Sequence, residues 1–154
     1  MKRYGKTIAV TVLAVIIAVW ILDKIPFTKN VDMQVEPAIY VDGSYVDRTT
    51  VTIKGEKTRY LFREDSFVGE IRIACLTKTD TEGLQAKIQW HSDNDLQSIS
   101  FSCKGDFYGA QEYGLSNALV MSDDMSDFAF MTTDGAVIST AYGYCGMLEK
   151  AAGE

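Results

Sequence analysis

Residues 84–103 read LQAKIQWHSDNDLQSISFSC and contain the two most regular strand patterns of the chain. In residues 84–91 apolar side chains alternate with polar ones, and residues 96–103 repeat this alternation. Strict alternation is typical of a strand with one buried and one solvated face, as in an antiparallel sheet. The polar residues 92–95 lie between the two patterns and predict the turn that joins them. The stretch therefore predicts a β-hairpin.

Short strand patterns continue on both sides of this hairpin, with no helical period between them. Upstream, Asp42-Gly43 predicts a hairpin turn between residues 34–40 and 45–53, and residues 54–57 predict a further turn. Other strands are predicted at residues 58–62, 67–76, 117–121, 128–132 and 136–140, and a short helix at residues 147–152. Eight or nine short strands predict an all-β domain, an antiparallel meander that closes as a barrel or folds as a sandwich. We favour the barrel.

The N-terminal segment differs sharply from the rest of the chain. Residues 7–22 read TIAVTVLAVIIAVWIL, sixteen residues without a charge. As a helix this run is about 24 Å long, slightly shorter than a bilayer core of about 30 Å. Trp20 and Lys24 near its end suit the membrane interface, where an indole is favoured and a lysine reaches the headgroups. The run therefore predicts one N-terminal transmembrane helix.

A cleaved signal peptide is the alternative, since its apolar region can be this short. Cleavage requires small residues at alternate positions, and residues 20–27 offer none. Lys2, Arg3 and Lys6 precede the apolar run and, by the positive-inside rule, keep the N-terminus in the cytoplasm. The expected division is a transmembrane signal anchor at residues 1–24, a stalk at residues 25–32 and an extracytoplasmic β-domain at residues 33–154. We therefore expect a single-pass protein of the cell membrane with its C-terminal domain extracellular.

Charge narrows the class of partner. The chain has 15 basic and 21 acidic side chains, a net charge of −6. Four of the basic residues and one acid precede residue 25, so the remainder has eleven basic and twenty acidic side chains and a net charge of −9. An acidic domain repels phosphate backbones, so we expect no nucleic-acid partner. The expected partners are the membrane, through the N-terminal helix, and a protein or an envelope polymer.

Two further stretches carry a resemblance. Residues 60–73 read YLFREDSFVGEIRI, and residues 122–131 combine an acidic turn with Phe128-Ala129-Phe130. With the apolar N-terminus, they resemble small, N-terminally membrane-anchored proteins of unassigned function from clostridial Gram-positive bacteria. Those proteins show the same order of anchor, stalk, acidic turn and long strand. The resemblance implies this architecture, and it implies no activity, cofactor or catalytic residue.

The chain has one histidine, His91, on the polar face of its predicted strand. A histidine-dependent triad needs a nucleophile and an orienting acid beside it. Ser98, Ser100 and Ser102 lie across the predicted hairpin, but none lies in a Gly-x-Ser-x-Gly elbow. The adjacent acids Glu64 and Asp65 lie in a predicted turn, where sequence cannot place them across a cleft. A solvated histidine is the favoured interpretation, and we expect no catalytic residue.

Metal and cofactor signals are equally weak. The histidine and three scattered cysteines lack zinc-site spacing, and no phosphate-binding glycine loop occurs. Residues 93–95 and 123–127 are oxygen-rich and suit calcium, but neither matches the EF-hand pattern, and turn chemistry explains both. We therefore expect no metal and no cofactor. The remaining candidates for a recognition surface, with ordinary packing preferred, are Tyr108, Tyr113, Tyr142 and Tyr144.

The cysteines test the meander. Residues 84–91 lie between the strands that Cys75 and Cys103 end, which separates their Cα atoms by at least about 9 Å. A disulfide requires less than about 7 Å. We therefore expect both thiols to be free and to pack as small hydrophobes.

Three hypotheses about function follow. The favoured one is a non-catalytic, membrane-tethered binding or interaction module. The second is a cell-envelope hydrolase whose carboxylates cannot be identified from sequence. The third is an accessory subunit that packs beside a larger membrane protein through residues 7–22.

Overall fold

Eleven β-strands form about half of the part of the chain that the computed structural model describes, residues 2–91 and 95–152. Helix α1 (Lys2–Leu22) precedes them and helix α2 (Tyr142–Ala152) follows them. The strands are β1 (Phe27–Val35), β2 (Ala38–Val41), β3 (Ser44–Arg48), β4 (Val51–Arg59), β5 (Ser66–Ile73), β6 (Leu84–Trp90), β7 (Gln97–Cys103), β8 (Asp106–Gly109), β9 (Leu115–Met121), β10 (Phe128–Thr132) and β11 (Val137–Ser139). Single 3-10 turns lie at Thr77–Asp80 and Ala110–Tyr113.

The strands make one antiparallel sheet in the order β1-β4-β5-β6-β7-β9-β10-β11-β2-β3, with the short β8 paired to the end of β7. From β4 to β11 the chain runs as a meander. The sheet curls into a half-barrel, which confirms the all-β class and the antiparallel meander. The short β8, which was not predicted, and the division of the predicted strand 34–40 between β1 and β2 raise the strand count above the predicted eight or nine.

A bent hairpin brings the two ends of the sheet together. One half of the hairpin is the pair of β2 and β3, in which β2 also pairs with β11. The other half is the pair of β1 and β4, in which β4 also pairs with β5. Only Glu36-Pro37 and Thr49-Thr50 separate the two halves, and the Thr49 N–H donates to the Pro37 carbonyl oxygen at 3.1 Å. Pro37 has no N–H for a ladder, so the strand pair bends here and changes its partner strand.

The predicted hairpin turn at Asp42-Gly43 is confirmed. Both residues have positive φ, 50° and 71°, as the type I′ turn requires. The structure, however, divides each flanking strand at the bend, where the sequence predicted one strand across residues 34–40 and one across 45–53.

The alternation in residues 84–91 and 96–103 predicts that the apolar side chains of β6 and β7 face inward. Ile88, Trp90, Ile99 and Phe101 are indeed buried, and so are Ile71 and Ile73 of β5. The last three residues of β9, and strands β10 and β11, lack alternation because both of their faces are covered. Phe128 and Phe130 point into the half-barrel, whereas Ala129 packs on the other face with Cys145 and Leu148 of α2.

The predicted turn at residues 54–57 is wrong, because β4 continues through it to Arg59. Gly55 lies opposite Gly69 of β5, with the Phe67 ring against both. A Cβ at Gly55 would lie 2.6 Å from the Cα of Gly69 and closer still to the Val68 carbonyl oxygen. Glycine is required here for close approach of two strands and not for a turn.

The N-terminal region also differs from expectation. Residues 27–32, predicted as part of a stalk, belong to β1 and pair with β4, with Val31, Met33 and Val35 half-buried against the core. The residues predicted as a transmembrane helix form α1. Among the residues that the structure describes, none of the helices is both long and apolar enough to cross a membrane.

Cys75 and Cys103 are free thiols, which confirms the prediction that they are not bonded to each other. Strand β6 lies between β5 and β7, as the meander prediction requires. Cys103 is half-buried and packs against the core. Cys75 is exposed, so its predicted packing is wrong, because it lies in the turn that follows β5 and not on the strand itself.

Candidate functional site

A buried lysine lies at the end of the half-barrel nearest α1. Lys57 follows Ile53 and Gly55 on the inward phase of β4, and only 3% of it is exposed. Its Nζ donates a hydrogen bond to the Asp123 carbonyl oxygen and lies 3.9 Å from the centroid of the Trp90 ring. A cation over an indole face is favourable, particularly where water is excluded. The ammonium is thus held by a carbonyl dipole and an aromatic face.

One carboxylate balances this charge. Asp65 Oδ2 lies 3.7 Å from Lys57 Nζ and 3.0 Å from Arg59 Nε, and its side chain is 15% exposed. Arg59 Nη2 also lies 3.9 Å from Asp123 Oδ2. Lys57, Arg59, Asp65 and Asp123 therefore form a charged network. It joins β4 to residues 60–65, called the 60–65 loop, and to residues 122–127.

Burial lowers the pKa of Lys57 below its ordinary value, and the charge of Arg59 contributes, whereas Asp65 and Asp123 oppose the shift. A buried ammonium loses hydration that the protein must replace. The network supplies this replacement with one carboxylate, one carbonyl oxygen and one aromatic ring.

An open cavity of about 400 Å³ lies beside the network. Its lining comes from β6, β7, β9, the 122–127 turn and α2, and includes Trp90, Gln97, Asp123 and Tyr144. Gln97 is already engaged, since its Oε1 accepts from the Met121 N–H and its Nε2 donates to the Asp95 carbonyl oxygen. The buried Trp90 indole N–H has no hydrogen-bond acceptor among the described residues. The cavity thus combines an aromatic wall with acidic groups at its rim.

The structure brings His91 together with one of the three candidate serines. His91 Nε2 lies 3.0 Å from Ser98 Oγ, and His91 Nδ1 lies 3.3 Å from Glu64 Oε1. Glu64 also accepts a hydrogen bond from Gln89 Nε2 at 2.6 Å, and these two hydrogen bonds, that of Gln89 first, lower the pKa of Glu64. The order of serine, histidine and acid is that of a hydrolase triad. Ser100 and Ser102 make no such contact with His91 in the structure.

The position of Ser98 within the sheet does not favour acyl transfer. Ser98 lies inside β7, opposite Gln89 of β6 and Ala118 of β9, so hydrogen-bonded strands flank it on both sides. An oxyanion hole requires free N–H donors near the nucleophile. Ser98 is not among the residues that line the cavity, whereas its neighbour Gln97 and its partner His91 are.

Residues 123–127 form a turn closed by its own side chains. Asp124 Oδ1 accepts from Ser122 Oγ, the Ser126 N–H and Ser126 Oγ, and these hydrogen bonds lower its pKa to about 2. Across residues 2–91 and 95–152, no group of three or more acidic, histidine or cysteine side chains is placed to hold a metal ion. Of the other predicted oxygen-rich loop, residues 93 and 94 lie outside the described part.

The four candidate tyrosines do not share one surface. Tyr108 and Tyr113 pack edge to face at 6.1 Å and against the core, while Tyr142 packs on Tyr40 at 5.6 Å. Tyr144 alone lines the cavity near Lys57. Packing therefore accounts for Tyr108 and Tyr113.

Sequence reasoning missed Lys57 and Asp65 as partners. The sequence pattern places Lys57 in a predicted turn and offers Asp65 only as the neighbour of Glu64 along the chain. A signal was present, because Ile53, Gly55 and Lys57 share one strand phase. A lysine on the buried phase requires an acceptor, which indicates an ion pair.

No protein-family model matches this chain, and the comparisons with curated proteins and with solved structures gave no match. The resemblance to membrane-anchored clostridial proteins therefore stays a prediction.

Proposed function

We propose that this chain is a membrane-tethered, non-catalytic interaction domain, with α1 as the tether. One observation carries the proposal. Every residue from 8 to 22 is exposed, and none of the described strands covers the helix. The large apolar side chains in this stretch are Ile8, Val10, Val12, Leu13, Val15, Ile16, Ile17, Val19, Trp20, Ile21 and Leu22. Full burial of an aliphatic side chain of this size supplies about 1.5–3 kcal/mol, and these side chains forgo part of that stabilisation.

Lipid is the favoured environment for such a helix because its apolar side chains occupy all sides and leave no polar face toward water. The apolar run of about 24 Å is shorter than a bilayer core of about 30 Å, so crossing would require local thinning of the bilayer or snorkelling of lysines. Lys24 Nζ lies 4.3 Å from the Trp20 ring centroid, which suits the headgroup region.

The basic residues Lys2, Arg3 and Lys6 support an N-terminus on the cytoplasmic side, with the β-domain outside. The acidic β-domain then lies in the cell envelope, with its cavity at the end of the domain that is nearest to α1. The exposed residues around the cavity supply the interaction surface in this proposal, with a protein or an envelope polymer as the partner.

Vesicle flotation tests the tether. The full chain should float with liposomes, and Val12→Lys should reduce flotation, because a lysine at the centre of a membrane helix costs about 3 kcal/mol, roughly 100-fold in partitioning. Val46→Lys is the matched control, since Val46 is equally exposed but lies on β3. Equal flotation of both variants, or a wild-type chain that stays with the soluble fraction, would contradict the proposal.

A hydrolase is the second candidate, favoured by the Ser98–His91–Glu64 contacts. In such an enzyme, His91 Nε2 would accept the Ser98 proton as Ser98 Oγ attacks an acyl group, and Glu64 would orient the histidine. Labelling with a fluorophosphonate decides between the two candidates. Labelling that Ser98→Ala abolishes and Ser100→Ala preserves would establish the hydrolase, and absence of labelling would leave the non-catalytic proposal standing. The accessory-subunit hypothesis stays a prediction.

A further inference from the structure

The 60–65 loop presents large apolar side chains to solvent beside the end of α1. Leu61 is 51% exposed and Phe62 is 70% exposed. Ile25 and Phe27, which follow α1 directly, are also exposed. Phe27 pairs with Arg59, the last residue of β4, so the start of β1 and the start of the loop are neighbours. These four apolar residues therefore share one end of the half-barrel.

An ion pair fixes the loop to the helix end. Arg63 Nε lies 3.3 Å from Asp23 Oδ2, and the Arg63 guanidinium lies 5.8 Å from the Tyr60 ring centroid. Asp23 is the first residue after α1, and its side chain is mostly buried. The loop is thus held where α1 ends.

Chain length restricts where this end of the half-barrel can lie. The five Cα–Cα steps from Leu22 to Phe27 reach at most about 18 Å. Backbone hydrogen bonds shorten this reach, since the N–H groups of Asp23, Lys24 and Ile25 donate to carbonyl oxygens of α1. If α1 is inserted in lipid, the 60–65 loop must lie next to the bilayer surface.

We propose that the 60–65 loop is a second membrane contact, in which Leu61 and Phe62 insert at the boundary between lipid headgroups and acyl chains. The inference rests on the proposed tether, and it adds the orientation of the domain. Exposed apolar residues flanked by arginine and lysine suit this boundary, because the apolar groups leave water while the cations meet lipid phosphates. The partner is the lipid surface itself, contacted through Leu61, Phe62 and the exposed Lys24.

Phe107 provides a matched control. It is 80% exposed, but it follows the Lys104-Gly105 turn, and this turn lies at the end of β7 that is farther from the 60–65 loop. If insertion depends on the position of the loop and not only on an exposed aromatic side chain, Phe62 should insert into lipid and Phe107 should not.

The test uses the full chain in liposomes of phosphatidylcholine and phosphatidylglycerol, with Cys75→Ser, Cys103→Ser and Cys145→Ala as the background. An environment-sensitive fluorophore is attached at Phe62→Cys or at Phe107→Cys. We expect a blue shift and quenching by shallow spin-labelled lipid at position 62, and neither at position 107.

Three results would overturn the inference, and they are distinguishable. If the chain floats but position 62 is as solvated as position 107, the loop does not contact lipid although the tether holds. If the chain does not float, the tether fails, and the loop proposal fails with it. A blue shift at position 62 without quenching by spin-labelled lipid would assign the loop to a protein contact and also contradict the proposal.

Discussion

Asp65 is the carboxylate on which the buried charge of Lys57 depends. It is the nearest anion to an ammonium that is almost fully removed from water. A buried ion pair contributes modestly compared with an apolar replacement, but loss of one partner leaves an uncompensated charge. Lys54, on the same strand as Lys57, forms an exposed pair with Asp32 of β1 at 3.3 Å, and this pair lacks such burial.

We expect Asp65→Asn to lower the free energy of unfolding by about 3 kcal/mol, because Lys57 would remain buried without its anion. Asp32→Asn should lower it by less than about 1 kcal/mol, because water screens the exposed pair. Denaturant unfolding followed by tryptophan fluorescence measures both. Equal losses would show that the Lys57 site is as solvated as the surface.

The turn at residues 122–127 predicts that the folded chain loses stability as the pH is lowered. The pKa of Asp124 falls from 3.8 to about 2 in the folded chain, chiefly through the hydrogen bond from Ser122 and then those from Ser126. Because the folded pKa is the lower one, this contribution to stability is complete above pH 3.8 and is lost as the pH falls toward 2. Asp124→Asn should therefore flatten the decline of the melting temperature between pH 4 and pH 2. An unchanged slope would contradict the assigned hydrogen bonds.

Elements whose two faces differ could be predicted from sequence, and the others could not. Strands β6 and β7 alternate because their outer face meets water, so the pattern gives both the strands and their core residues. The predicted turn at residues 54–57 is wrong because a glycine such as Gly55 is equally typical of a turn and of a close contact between two strands. The Lys57 site was missed for the same reason. The Ser98–His91–Glu64 contacts depend on the register of three segments, which sequence does not determine.

The glycine pair in β4 and β5 can be tested directly. A methyl group at Gly55 would collide with the backbone of Val68 and Gly69, which cannot move without breaking the ladder. We therefore expect Gly55→Ala to lower the melting temperature clearly. Gly146→Ala is the control, because its Cβ meets nothing within 4 Å and alanine is favoured in helix α2 by about 0.5–1 kcal/mol. Similar stability of the two variants in thermal unfolding would contradict the close strand contact.

The whole molecule combines a filled half-barrel with one uncovered apolar helix. The half-barrel buries its apolar side chains in a continuous core, with α2 closing the outer face of β9 to β11. By contrast, the apolar residues of α1 have no cover from the described strands. The described β-domain does not cover the apolar side chains of α1, and we propose that a lipid bilayer does. The charged network and cavity then lie at the membrane-facing end of the domain.

Cys75 provides the most direct measurement of the proposed membrane topology. It is exposed on the β-domain, whereas Cys103 is half-buried and Cys145 is buried. A membrane-impermeant maleimide applied to intact cells should label the chain, and Cys75→Ser should lose most of this labelling. Labelling of Cys75 only after the membrane is permeabilised would place the β-domain on the cytoplasmic side and contradict the account.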